Sequence, residues 1–122
     1  IDTGIDIVEV DRVATVLSRH PVRFLTRHFT PTECAQCASS PMRLAARWAG
    51  KEAASKALGT GIGPVGWREL EVVGDELSAP RLVLHGRARD RATALGWNAW
   101  SISLSHTGGL AVAVVVATTT RA

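Results

Sequence analysis

The 122-residue chain has no tyrosine, and aromatic residues make up only 5% of it. A surface that binds nucleic acid by base stacking needs rings interleaved with its basic residues, and no such platform is present. Cysteine is scarce too. Cys34 and Cys37 stand alone as "CAQC". Structural zinc takes four ligands, and no nearby cysteine or histidine completes the set, so the pair reads as two reduced thiols. No apolar run reaches the roughly 18 residues of a membrane span. The longest, Leu110–Ala117, suits a buried strand. No secretory leader is recognised, and a cytoplasmic location is expected. Charge of one sign is not in large excess: 14 Lys+Arg against 11 Asp+Glu give +3. That mild basic balance suits an anionic partner, whether a phosphate-bearing ligand, an acidic protein or nucleic acid, and names none of them.

What is present is a globular composition. The hydrophobic share is 46%, and the length fits one domain spanning residues 1–122, with a modest core that oligomerisation would help bury. "TGIDIVEV" mixes β-branched residues with alternating polarity and predicts a strand over residues 3–8. In it, Ile5 and Ile7 are expected in the core and Asp6 on the opposite face. From Glu9 the apolar residues Val10, Val13, Ala14 and Leu17 recur at helical spacing until Pro21, which is expected to stop the run. "FTPTE" opens a helix, with Thr30 as N-cap, Pro31 at the first position and Glu33 as the capping-box partner. A longer helix is predicted from Pro41 to Leu58, with Gly59 as its C-terminal cap. "WRELEVV" and "PRLVLH" read as strands and "GRARDRATALG" as a short helix. "AWSISLSH" and "LAVAVVVA" form a hairpin around "TGG", with His106 at its tip. The order β-α-α-α-β-β-α-β-β is an α+β pattern with a mostly antiparallel sheet.

The charges of "RWAGKEAASKALGTG" raise the first chemical question. Glu52 and Lys56 are four apart and share a helix face with Ala45, Trp48, Ala49 and Gly59, whereas Arg43 and Arg47 point away. They are either a surface ion pair, contributing about 0.3–0.5 kcal/mol, or working groups with room for a ligand. Asp6 is out of character in a short strand. It is either simply solvated or, with Glu52, one of the two carboxylates that Mg²⁺ takes alongside water and phosphate oxygens. "GIGPVG" matches G-x-G-x-x-G by letters, but it follows a helix, precedes a strand and contains Pro64, so a dinucleotide fold is excluded. No G-x-S-x-G elbow accompanies Ser105 and His106, which excludes the usual serine hydrolase. His106 remains either a structural or a catalytic residue.

Taken together, "GIDIVEVDR", "FTPTE", "RWAGKEAASKALGTGIG" and "SLSHTGG" resemble the holo-[acyl-carrier-protein] synthase family, the small single-domain 4′-phosphopantetheinyl transferases. The motifs run in that family's order along nearly the whole chain. The resemblance implies transfer of 4′-phosphopantetheine from coenzyme A to a serine of an apo acyl carrier protein, releasing adenosine 3′,5′-bisphosphate in fatty acid or other lipid metabolism. It places Asp6 and Glu52 on Mg²⁺ and Lys56 at the pyrophosphate. Arg47, Gly59, Ser105, His106 and Thr107 fall at positions for coenzyme A, and a homotrimer with sites between subunits is implied. Glu52 is the first choice of base for the attacking serine and His106 the second. Arg12, Arg19, Arg23 and Arg27 either dock the acidic carrier protein or serve solubility. Two positions depart from the pattern. Asp2 stands in place of the first glycine of the family's opening strand. Val8 stands where larger two-domain relatives carry a third acidic residue. The alternatives are a non-catalytic coenzyme A or nucleotide-binding module of the same fold, and a basic nucleic-acid-binding domain.

Overall fold

The computed structural model describes residues 1–74 and 78–120. The chain begins with strand β1 (Asp2–Glu9), followed by helices α1 (Val10–Arg19), α2 (Pro21–His28), α3 (Pro31–Cys37) and α4 (Pro41–Ala57). A single 3₁₀ turn at Trp67–Glu69 leads into β2 (Leu70–Val73) and β3 (Arg81–Leu84). Helix α5 (Gly86–Leu95) and the strands β4 (Trp97–Thr107) and β5 (Leu110–Thr119) complete it. Every strand pair is antiparallel, in a three-stranded sheet ordered β1-β5-β4 and a two-stranded ribbon β2-β3. The α+β class with antiparallel pairing is therefore as the sequence implies.

One helix more is present than expected. Pro21 does end α1, but it also opens α2. Proline lacks the N–H that a first-turn residue would leave unpaired, and its fixed φ suits that position. The same logic holds at α3, where the capping box forms as expected. Thr30 Oγ1 accepts from the Glu33 N–H at 3.2 Å, and Glu33 Oε1 accepts from the Thr30 N–H at 2.9 Å. The β4–β5 hairpin turns at Gly108 and Gly109, both at positive φ (54° and 80°), which a two-residue turn of this hand needs.

Helix α4 is the spine of the molecule. Its buried alanines Ala45, Ala49, Ala53 and Ala57 lie against Ala111, Ala113, Val115 and Ala117 of the sheet. Small residues on both sides let helix and sheet come close. The closest point is at Gly4. A methyl group added there would sit 1.9 Å from the Ala53 carbonyl oxygen and 2.8 Å from the Ala57 nitrogen.

This approach overturns the expected facing of β1. Gly4 and Val8 are buried toward α4, and Asp6 shares their side because residues two apart face the same way. Ile5 and Ile7 are 57% and 60% exposed on the other face. The expectation counted bulk as the core signal. Here the core side of β1 is carried by a glycine, because the facing helix leaves no room for anything larger. The open face continues across β5 with Leu110 and Val116, and across β4 with Ser101, Ser103, Ser105 and Thr107.

Candidate active site

Three elements meet around a pocket of about 320 Å³ lined by Asp6, Ile7, Val8, Glu9, Arg12, Trp48 and Glu52. Strand β1 supplies Asp6, α4 supplies Trp48 and Glu52, and α1 supplies Arg12. The close packing at Gly4 holds β1 against the turn of α4 that carries Glu52, so the two carboxylates come from different elements to one place.

Their electrostatics record that proximity. The Glu52 carboxyl is held above the usual carboxylate range, first by burial and then by the negative Asp6, while Lys56 works in the opposite direction. Lys56 does not pair with Glu52 one turn back. It reaches across to β1, where its Nζ donates to Asp6 Oδ1 and to the Ile5 carbonyl, both at 3.0 Å. The Lys56 side chain stays half exposed (52%), whereas that of Asp6 is mostly covered (17%). Asp6 and Glu52 thus share a solvent-open pocket with Glu9 and Arg12, and Lys56 borders it through its bond to Asp6.

The donor set fits Mg²⁺. Among the described residues no group of three or more His, Cys, Asp or Glu is placed to hold a metal ion together, so an all-protein cage is not on offer. Two carboxylates in an open pocket match an ion that keeps water and phosphate oxygens for its remaining positions.

Lys51, immediately before Glu52, has a different fate. It is fully buried and paired with the equally buried Glu33 at 2.7 Å. Its Nζ also donates to the carbonyls of Trp67 (3.0 Å) and Leu70 (2.9 Å) and lies 5.4 Å from the Phe29 ring centre. Glu33 in turn accepts from the Val72 N–H at 2.9 Å. Burial pulls the Lys51 pKa down, and Glu33 opposes that pull. The capping glutamate of α3 thereby ties α4 to β2. Sequence reasoning missed this network. A signal was available in the spacing, since Arg47, Lys51 and Ser55 recur every fourth residue and form a buried polar stripe on α4.

The other expected residues divide between near and far. Arg12 lines the pocket itself. Arg19 lies beside a shallow groove with Asp11, Ala14, Thr15 and Ser18, and Arg23 and Arg27 are exposed on α2. Arg47 is buried on the far side of α4, where its Nη2 donates to the Gly74 carbonyl at 2.5 Å. Gly59 takes φ 76° just past the end of α4. Ser105, His106 and Thr107 are exposed, and they divide between the faces of the sheet. His106 pairs with Ala111, which pairs with Val8, so it stands two strand spacings from Val8, about 10 Å. Within one protomer His106 does not line the pocket that holds Glu52.

The small aromatic complement is concentrated beside the pocket. Trp48, one of its walls, stacks on Phe24 (5.6 Å between ring centres, 17° between planes) and touches Trp67 (4.4 Å) and His28 (4.8 Å). Offset and edge contacts of this kind stiffen the wall from behind. Cys34 and Cys37 are free thiols. Burial raises that of Cys37 to about 11, which makes it inert at neutral pH.

Residues 2–115 match the model of the 4′-phosphopantetheinyl transferase superfamily. The chain belongs to the holo-[acyl-carrier-protein] synthase family. It is 48% identical to the holo-[acyl-carrier-protein] synthase of Herpetosiphon aurantiacus over 121 residues, covering 93% of this chain and 95% of the relative. The synthase of Moorella thermoacetica is 43% identical, with 95% and 92% covered. The crystal structure of the Helicobacter pylori enzyme in complex with coenzyme A superposes with a TM-score of 0.85 at 32% identity, covering 95% of this chain and 99% of that one. In this family the chain is an enzyme, a phosphopantetheinyl transferase, and the Asp6–Glu52 pocket is the first place to look for its chemistry.

Proposed function

We propose that this enzyme transfers 4′-phosphopantetheine from coenzyme A to a serine of an apo acyl carrier protein, with Mg²⁺, releasing adenosine 3′,5′-bisphosphate. The observation that carries the reading is the meeting of Asp6 and Glu52, from two elements, at one pocket, with Lys56 bonded to Asp6 beside it.

The serine Oγ attacks the phosphorus that bears the pantetheine arm. One P–O bond forms, and the bond to the adenosine 3′,5′-bisphosphate oxygen breaks. Such transfers depend on positioning and charge neutralisation rather than on covalent help from the protein. Asp6 and Glu52 would hold the Mg²⁺, which neutralises pyrophosphate charge when bound. The Lys56 ammonium, half exposed, would exchange its bonds to Asp6 and the Ile5 carbonyl for the leaving phosphate and offset its growing charge. The Glu52 carboxylate, in the same pocket, accepts the serine proton directly or through one water. Arg12 at the pocket edge, with Arg19, Arg23 and Arg27 beyond it, forms a basic approach for an acidic carrier.

The open face of the three-stranded sheet supports a homotrimer. Exposed isoleucines at 5 and 7, beside Val116 and Leu110, make an apolar patch that a neighbour would cover. The assembly would also place Ser105, His106 and Thr107, which do not line the pocket of their own protomer, at the coenzyme A of the next copy. His106 is then the second candidate for the base. Among the described residues no helix is long and apolar enough to cross a membrane, and the proposed setting is fatty acid synthesis in the cytoplasm.

The test is direct. The protein is incubated with coenzyme A, Mg²⁺ and a panel of apo carrier proteins, and each carrier is weighed by intact mass spectrometry. A carrier gaining one phosphopantetheine, with matching release of adenosine 3′,5′-bisphosphate, is the expected result. If every carrier stays apo while coenzyme A binds, the chain is a binding module and the reading fails.

A further inference from the structure

The contact at Gly4 is tighter than packing alone requires. The atoms that exclude a side chain there belong to the backbone: the Ala53 carbonyl oxygen at 1.9 Å, the Ala57 nitrogen at 2.8 Å and the Ala53 carbonyl carbon at 2.9 Å. No rotamer change relieves such a clash. Nor is Gly4 needed for its conformation, since it is absent from the positive-φ glycines. Its role is to let the backbone of β1 touch that of α4.

The place of contact is what matters. Asp6 is two residues from Gly4 on the same face of β1, and Glu52 and Lys56 each stand one residue before the Ala53 and Ala57 that Gly4 touches. The separation of strand and helix at Gly4 therefore sets the separation of the two carboxylates. We propose that Gly4 is a specificity-determining residue that fits the Asp6–Glu52 pair to a small cation, Mg²⁺, and against the larger Ca²⁺. The inference rests on the metal reading above and goes beyond it.

The magnitudes agree. Oxygen ligands lie at about 2.0–2.1 Å from Mg²⁺ and about 2.3–2.6 Å from Ca²⁺. Each ligand distance therefore differs by roughly 0.2–0.6 Å between the two metals. A methyl group at Gly4, starting 1.9 Å from a backbone oxygen, must move to at least 3.0 Å. That displacement exceeds an ångström, more than the difference in ligand distance between the two ions.

The experiment measures binding and not turnover. Mn²⁺ is bound to the full chain with saturating coenzyme A and no carrier protein. It is then displaced by Mg²⁺ or Ca²⁺ and followed by electron paramagnetic resonance against a protein-free blank. Gly4→Ala is expected to raise the Ca²⁺-to-Mg²⁺ affinity ratio about tenfold, roughly 1.4 kcal/mol of altered preference. Gly50→Ala is the control on the same helix. A methyl group there meets side-chain tips and no backbone, those of Ile102 and Val72 at 3.0 Å and Leu104 at 3.6 Å, none of them on β1, and the ratio should stay as in the wild type. Glu52→Asp widens the gap by one methylene and leaves the contact intact. It should shift the ratio in the same direction, and it carries the test if Gly4→Ala does not fold. A wild-type ratio in Gly4→Ala overturns the inference, as does a wild-type ratio in Glu52→Asp where Gly4→Ala is unfolded. A shift in Gly50→Ala equal to that in Gly4→Ala also overturns it. A wild-type protein that binds none of the three cations defeats the metal reading itself, which is a different failure.

Discussion

Lys51 and Glu52 are consecutive residues of one helix, and their surroundings could hardly differ more. Lys51 is fully buried and finds Glu33 and two backbone carbonyls, so its charge is met on every side. Glu52 is partly covered, faces the like-charged Asp6 and is pushed toward protonation. The first arrangement is closed and holds three elements together. The second is open, and it sets two carboxylates close enough for the charge of Asp6 to act on Glu52. Charge that a fold has fully satisfied has nothing left to offer a ligand, whereas like charges held together in a pocket anticipate a cation.

The sharpest way to break this comparison is to truncate both neighbours. Glu52→Ala should lower the transfer rate by roughly a thousandfold, the scale of losing a key electrostatic group, and leave the melting temperature nearly unchanged. Lys51→Met should do the reverse. Stranding Glu33 uncompensated costs about 3–5 kcal/mol in urea unfolding, while the protein that remains folded keeps most of its activity. The double variant Lys51→Met with Glu33→Leu should recover much of that stability, since apolar residues of similar volume often replace a buried pair at little cost. Equal stability losses for the two single variants would erase the distinction.

Smaller effects separate the arginines. Arg12→Glu, inside the pocket, should lower kcat and raise the KM for the carrier. Arg19→Glu, beside the outer groove, should raise the carrier KM several-fold and leave both kcat and the KM for coenzyme A alone. Steady-state kinetics with each substrate varied would show whether pocket and approach are distinct.

The smallest predicted effect lies behind the pocket wall. The pKa of His28 is lowered chiefly by burial, with Arg27 and Lys51 adding to the effect against a hydrogen bond to the Phe24 carbonyl. The folded state thus binds a proton less readily than the unfolded chain. Its contribution to stability is intact above the ordinary value of 6.5 and is lost as the pH falls below it toward the folded pKa. The melting temperature should drop by a few degrees between neutral pH and pH 5, and His28→Gln should flatten that part of the profile. Glu69 and Glu71, whose pKa values lie below the ordinary 4.5, act only at lower pH.

Much of this was legible in the residues, and the failures share one cause. Capping chemistry is local, so Thr30, Pro31 and Glu33 could be read directly. The hairpin and the long helix were likewise announced by their own turn and end residues. The facing of β1 was not, because it depends on a partner 49 residues away along the chain, Ala53, that demands a glycine. The partner of Lys56 was misjudged for the same reason. Spacing suggested Glu52 on the same helix, whereas the fold supplied Asp6 from a strand. Asp6, Glu52 and Lys56 could be named as candidates from residue type and motif, but only the packing shows why they meet. His106 shows the complementary limit, since its proposed place beside a neighbour's substrate would be a property of an assembly and not of one chain.

The account stands most directly on Asp6 and Glu52 holding one cation together. Mn²⁺ titrated into the protein with coenzyme A, and followed by electron paramagnetic resonance, measures this. One site per chain is predicted, weakened at least tenfold by Asp6→Asn and, separately, by Glu52→Gln, since each removes one of two shared ligands. A site that survives both substitutions unchanged, or no site in the wild type, would contradict it.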